Sequence, residues 1–241
     1  MNNYRYLIIS LLCCLSLTSF SQKVFMTGDS HVSIKVYPQE VGRLLAESKP
    51  EADFSFWGKG GAGFYSFNDN KAYMDSIFKA NPDVLVVHLG TNGSYAVKFD
   101  PEKCHNDIAT FHATVREQLP DCKIVYVTPF YNKNHPKTGT KTVGGKKKGK
   151  GKVKTVPVYG PWKVNTKTRE CADVILSFAE GQPDTFVIDN NADAGTIFLD
   201  EPGLIRSEFV HLTDAGYKLL AAQVTEKLLE IPQLWEASNK E

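Results

Sequence analysis

Val84-Leu-Val-Val-His-Leu89 is apolar apart from one histidine, and Gly90-Thr-Asn-Gly93 follows it at once. The run is short for a helix and lacks the alternation of a strand with one wet face. It reads as a strand buried on both faces, which requires helices above and below it. The flanks supply them. Tyr73, Ile77 and Phe78 mark a helix that stops near Asn81-Pro82, and Ile108, Phe111, Val115 and Leu119 mark another beyond the strand. The alternation continues outward. Lys23–Gly28 and Asp53–Trp57 read as strands, with a helix from Tyr37 to Ser48 between them carrying Val41, Leu44 and Leu45. Ile124–Val127 and Phe186–Ile188 read as strands, with Cys171, Val174, Ile175 and Phe178 on the intervening helix. Tyr217, Leu220, Val224 and Leu228 give the last helix, with Thr213 as its N-cap. This order predicts an α/β fold, a three-layer α/β/α sandwich around a mainly parallel sheet of about five strands. No repeat and no second domain boundary interrupts it.

The chain has 241 residues, 42% apolar and 23% charged, the composition of one globular domain. That excludes a disordered chain, a collagen and a polytopic membrane protein. Arg5 precedes an apolar run from Leu7 to Leu17, and Ser19-Phe20-Ser21 offers small residues for cleavage. Residues 1–21 therefore read as a signal peptide and 22–241 as the mature domain, secreted or periplasmic in a bacterium. The run is shorter than the roughly 20 residues of a membrane span, so an uncleaved anchor is the less favoured alternative. Cys104, Cys122 and Cys171 stay in the mature part. They show no CxxC spacing, and Cys104 and Cys171 fall on helical patterns that favour small buried side chains. One disulfide could form in an oxidising compartment, with its pairing left open.

The formal net charge is +1, which argues against a generally basic nucleic-acid binder. The charge is unevenly placed. Lys133 to Lys154 holds nine lysines and no acid, so removing those and Arg5 from +1 leaves a body near −9. Residues 133–157 are expected to form a flexible Lys/Gly-rich loop that could tether an anionic polymer, such as teichoic acid, an acidic polysaccharide or lipid headgroups. Nucleic acid is disfavoured, because the interleaved aromatics of a stacking platform are missing.

In parallel α/β sheets, ligands bind beyond the carboxyl ends of the strands. Those ends carry Gly28-Asp29-Ser30-His31, Gly58-Lys-Gly-Gly-Ala-Gly63 and Gly90-Thr-Asn-Gly93, and Glu208-Phe-Val-His211 precedes the last helix. Singly, each is ordinary turn chemistry. In this order, from Lys23 to about Leu229, they resemble the blocks of the SGNH (GDSL-type) hydrolase family. The resemblance implies a flavodoxin-like fold and a serine esterase without cofactor. By position it makes Ser30 the nucleophile, His211 the base, and Gly61 and Asn92 the residues of blocks two and three. Gly60 is the fallback for Gly61. The family's aspartate three residues before the histidine is replaced by Glu208. Glu208 is favoured as the third catalytic member, beside two open readings: a backbone carbonyl orients His211, or activity is reduced. Asp214 reads as a first-turn acid favoured by the helix dipole.

Each type suits the chemistry. A serine hydroxyl attacks an ester once a neutral imidazole takes its proton. The carbonyl oxygen then becomes negative and needs donors already aimed at it. The expected oxyanion hole is the N–H of Ser30, the N–H of Gly61 and the Asn92 amide. Asp29 is expected to shape the nucleophile turn, and His31 and His88 to be structural. His105, His112 and His135 lack ligand spacing, so no metal site is expected. The expected reaction is hydrolysis of short acyl esters, above all O-acetyl on a carbohydrate. The alternatives are a glycan acetyltransferase, a lipase or thioesterase of the same family, and a catalytically impaired glycan-binding protein.

Overall fold

The computed structural model describes residues 21–94, 99–134, 137–143, 154–159, 163–208 and 210–235. Five parallel strands form the sheet: β1 (Gln22–Gly28), β2 (Ala52–Gly58), β3 (Val84–His88), β4 (Lys123–Val127) and β5 (Thr185–Ile188). Their order is β2-β1-β3-β4-β5. All of β3 is buried, His88 included, which matches its nearly continuous apolar run. The helices are α1 (Ser30–Ser33), α2 (Val36–Ser48), α3 (Phe64–Asp69), α4 (Lys71–Ala80), α5 (Thr91–Ser94), α6 (Pro101–Gln118), α7 (Lys167–Ala179), α8 (Asn190–Ala194), α9 (Ile197–Asp200) and α10 (Asp214–Leu229).

Two cores result, one on each face of the sheet. Val24, Met26, Val84 and Val86 pack with Val41 and Leu45 of α2 and with Tyr217, Leu220 and Val224 of α10. Leu85, Val87 and Ile124 face the other way, onto Phe67, Ile77, Ile108, Phe111 and Ile175. Period-two alternation along each strand sends neighbours to opposite faces, so both cores draw on the same strands. Thr213 caps α10 by accepting from the Gly216 N–H at 3.2 Å.

The strand order also places the site. The chain goes from β1 outward to β2, then returns to the other side of β1 for β3. The carboxyl ends of β1 and β3 are therefore neighbours at the point where the winding reverses. Gly28 permits their close approach, since a Cβ there would sit 2.4 Å from the His88 carbonyl oxygen. A side chain at that position would force the turn after β1 away from β3.

The stretch 133–157, expected as a loop, departs from that expectation. Lys137–Val143 runs antiparallel to Lys154–Tyr159, and Lys133–Asn134 pairs with Lys163–Val164. The reason is visible in the residues between the lysines. Thr138, Thr140, Thr142, Val143, Thr155, Val156 and Val158 are β-branched and favour an extended backbone. Residues 144–153, which carry five of the nine lysines, lie outside the described residues, as do 1–20. At the root of this insertion two buried asparagines clasp each other. The Asn165 N–H donates to the Asn132 carbonyl at 2.8 Å, and the Asn165 amide donates to Asn132 Oδ1 at 3.1 Å and reaches the Ser94 carbonyl at 3.5 Å.

Candidate active site

Ser30 is the first residue of α1, directly after β1. Asp29 caps that short helix, its Oδ1 accepting from the His31 N–H at 2.9 Å. The turn therefore fixes Ser30 through its neighbour and leaves the serine hydroxyl free to point outward. Ser30 Oγ lies 3.0 Å from His211 Nε2, and His211 Nδ1 lies 3.0 Å from Glu208 Oε1. A carboxylate only accepts, so Nδ1 carries the hydrogen and Nε2 offers its lone pair to the serine hydroxyl.

Local pairing explains how a glutamate reaches that far. Ile205 bridges Leu212 in antiparallel fashion, and the Arg206 N–H donates to the His211 carbonyl at 2.8 Å. These two links hold Arg206 against His211, and Glu208 lies between them in sequence, within reach of the imidazole. Glu208 stays 44% exposed and His211 28% exposed, so this carboxylate works in partial contact with water.

Gly61 has φ of +78°, in the left-handed region that a side chain rarely adopts, and open space surrounds the position of its missing Cβ. Among the described residues, the N–H groups of Ser30 and Gly61 meet no backbone acceptor. Asn92, on α5 after β3, donates through Nδ2 to the Ala62 carbonyl at 2.8 Å and approaches Asp29 Oδ2 at 3.4 Å. The structure therefore brings Ser30, His211 and Glu208 into one chain of contacts, and ties Asn92 to the loop holding Gly61. Gly60, the fallback, sits with its missing Cβ 4.0 Å from the Ser30 Cβ. Asp214 is placed in the first turn of α10.

Beneath Ser30 lies a buried polar cluster that local sequence pattern did not reveal. His31 Nδ1 pairs with the Tyr217 hydroxyl at 3.1 Å, and His88 Nδ1 with the Tyr37 hydroxyl at 3.2 Å. The ring of His31 lies 5.6 Å from that of His211. Tyr37 and Tyr217 occupy core positions of α2 and α10, where helical periodicity assigns an aromatic ring but says nothing about its hydroxyl. The only available signal was the pair of histidines beside two strand ends.

Burial sets the protonation of this cluster. It drives the His88 imidazole down to about 3 and, aided by His88 and His211 nearby, holds His31 well below its ordinary range. Burial also pushes the Asp29 carboxyl up to about 7. The signs follow from linkage. Above pH 6.5, His88 is neutral in both folded and unfolded chains. As pH falls from 6.5 towards 3, only the unfolded chain takes up the proton, so stability is lost. Asp29 works in the opposite direction: the folded chain keeps a proton that the unfolded chain releases above 3.8, so its contribution shrinks as pH rises towards 7. His88→Gln should remove one acid-side loss, about 2–3 kcal/mol between pH 7 and 4.5. Urea unfolding at both pH values checks this, and parallel losses in variant and wild type would refute it.

Among the described residues, no cluster of three or more His, Cys, Asp or Glu side chains is placed to hold a metal. No helix among them is long and apolar enough to cross a membrane.

A model of the GDSL-like lipase/acylhydrolase family matches residues 27–219, which include Ser30, Gly61, Asn92, Glu208 and His211. The chain belongs to this family. It is an ester-hydrolysing enzyme of the GDSL type, and its mainly parallel sheet with helices on both faces is the fold of the SGNH-type esterases it resembles. One similar structure is an acetyl xylan esterase, AlAXEase, with TM-score 0.60 and 18% identity, covering 86% of this chain and 99% of that one. A lipase/acylhydrolase from Enterococcus faecalis gives TM-score 0.57 at 15% identity, over 86% of this chain and 95% of the other. A catalytic mutant of an acetylxylan esterase from Geobacillus stearothermophilus gives TM-score 0.60 at 18% identity, over 86% and 94%. No curated protein gives a significant match.

Proposed function

We propose that this GDSL-type enzyme is an exported serine esterase that removes short acyl groups, above all acetyl, from a carbohydrate. The observation that carries the mechanism is the run of contacts from Ser30 Oγ through His211 to Glu208, each 3.0 Å long. His211 Nε2 takes the hydroxyl proton as Ser30 Oγ attacks the ester carbonyl. The N–H groups of Ser30 and Gly61 receive the resulting negative oxygen. Asn92 joins them by turning its amide off the long 3.4 Å contact with Asp29 while keeping the Ala62 carbonyl. His211 then protonates the departing alcohol, leaving an acyl group on Ser30. Water, deprotonated by the same imidazole, releases the acid.

The preference for acetyl on a glycan rests on the acetyl xylan esterases among the similar structures and on the signal-like residues 1–21. The test is acetate release from acetylated peptidoglycan and acetylated plant-type polysaccharide, with Ser30→Ala as the blank. Release from simple aryl acetates but from no glycan would leave an esterase and discard the carbohydrate substrate. Transfer to an added sugar outrunning hydrolysis would make it a transferase instead. An exported chain isolated from cells should begin at Gln22, which N-terminal sequencing reads directly.

Glu208 is assigned the orienting role. Removing a buried triad carboxylate costs about 10⁴ in kcat, but water can partly replace this exposed one, so Glu208→Gln should cost about 10–10². Steady-state rates on p-nitrophenyl acetate measure it, and an unchanged kcat would return the role to a backbone carbonyl.

The lysines of 133–154 favour an anionic polymer alongside the substrate. Exchanging the five lysines within 144–153 for glutamine should abolish salt-sensitive retention on immobilised teichoic acid or polygalacturonate. Retention that persists would end the tether idea.

A further inference from the structure

Two thiols lie outside the machinery described above. Cys104, in the first turns of α6, and Cys171, in α7, bring their Sγ atoms to 3.9 Å, although 67 residues separate them in sequence. Cys171 is buried with its sulfur 3.7 Å from the Gly90 carbonyl oxygen, immediately before α5. Cys104 is half-buried, and both cysteines are among the residues around a cavity of about 270 Å³ shared with Phe64, Asn92 and Phe99. One thiol is thus reachable by a small molecule and the other waits behind it. The third cysteine of the mature part, Cys122, is buried elsewhere, under the sheet beside β4.

We propose that Cys104 and Cys171 are a dithiol pair that a small-molecule disulfide oxidises to an intramolecular bridge, with Cys104 attacking first. The electrostatics agree with that order. The contact between the two sulfurs lowers the Cys104 pKa, while the same contact and burial hold Cys171 well above the ordinary range. Burial pushes the Cys122 thiol up to about 12 and leaves it inert.

The steps balance. The Cys104 thiolate attacks one sulfur of the reagent, whose S–S bond breaks and expels a thiolate that takes up the proton lost by Cys104. Cys171 then attacks the Cys104 sulfur of the mixed disulfide, and the second reagent thiolate leaves with the Cys171 proton. The protein loses two electrons and the reagent gains them. The sulfurs need only close from 3.9 Å to bonding distance, about 2.0 Å.

The test treats the full chain with bis(2-hydroxyethyl) disulfide and maps the tryptic peptides. The expected product links residues 104–116 to residues 170–206, with Cys122 unmodified in residues 117–123. In Cys171→Ser the reaction should stop at the mixed disulfide on Cys104. In Cys104→Ser the remaining thiol should react at least about tenfold more slowly. Cys122→Ser should behave as wild type. A mixed disulfide that persists on Cys104 in the wild type, a bridge through any other cysteine, or no reaction at all overturns the proposal. Equal rates in Cys104→Ser and wild type overturn the order of attack.

Discussion

Ser30→Ala should lower kcat for an acetyl ester by on the order of 10⁶, leaving a residual rate from oxyanion donors and binding alone. The size follows from what the hydroxyl does. In the proposed mechanism there is no acyl-enzyme without Oγ, and His211 would have nothing to deprotonate except water. His211→Ala should cost nearly as much, because an unactivated serine is a poor nucleophile. The double variant should be hardly worse than either single one, since the proposed mechanism makes the two side chains, 3.0 Å apart at Ser30 Oγ and His211 Nε2, one functional unit. Neither side chain belongs to the two cores, so both variants should unfold near the wild-type midpoint. Burst kinetics on p-nitrophenyl acetate and acyl trapping by mass spectrometry read the result. A Ser30→Ala protein that still turns over at the wild-type rate would move the chemistry to another nucleophile.

Asn92→Ala should reduce kcat by about 10²–10³ with little change in KM. As a proposed oxyanion donor the amide would act on charge that exists only in the transition state, so substrate binding should hardly notice its loss. The geometry adds a second expectation. Asn92 also satisfies the Ala62 carbonyl at 2.8 Å, and removing it leaves that acceptor and the buried Asp29 short of a donor. The variant should therefore lose about 1–3 kcal/mol of stability as well. The two losses separate cleanly if kcat is measured well below the unfolding temperature. A kcat within threefold of wild type, in a chain that is destabilised, would make Asn92 a brace for the Gly61 loop rather than an oxyanion donor.

The parallel sheet was legible because its strands are short apolar runs and its main helices carry regular apolar stripes. Thr213 announced the start of α10 by its type and place. The order of motifs at the strand ends pointed to Ser30, Gly61, Asn92 and His211 together. What stayed hidden depends on distance in space. Nothing near Glu208 in sequence says that Ile205 and Leu212 pair and bend it onto His211. Helical spacing in α2 and α10 identifies Tyr37 and Tyr217 as core, while their hydroxyls matter only because β1 and β3 deliver histidines to them. The approach of Cys104 to Cys171 depends on how α6 and α7 pack. The short helices α3, α8 and α9 carry too few turns for periodicity to speak. The strands of the lysine-rich insertion were masked by its composition, since lysine and glycine counts suggest disorder while the intervening threonines and valines favour extension.

The clasp between Asn132 and Asn165 bears on how this enzyme could diversify. The chain leaves the sheet layer and re-enters it at one hydrogen-bonded point, 2.8 Å across. Whatever is spliced between those two residues closes a loop whose ends already meet, and each doubling of its length costs only about 0.6 kcal/mol of chain entropy. The insertion can therefore lengthen, shorten or exchange its charge with little effect on the hydrolytic domain. Because the clasp also reaches the Ser94 carbonyl at the end of α5, every such graft would hang beside the turn that carries Asn92.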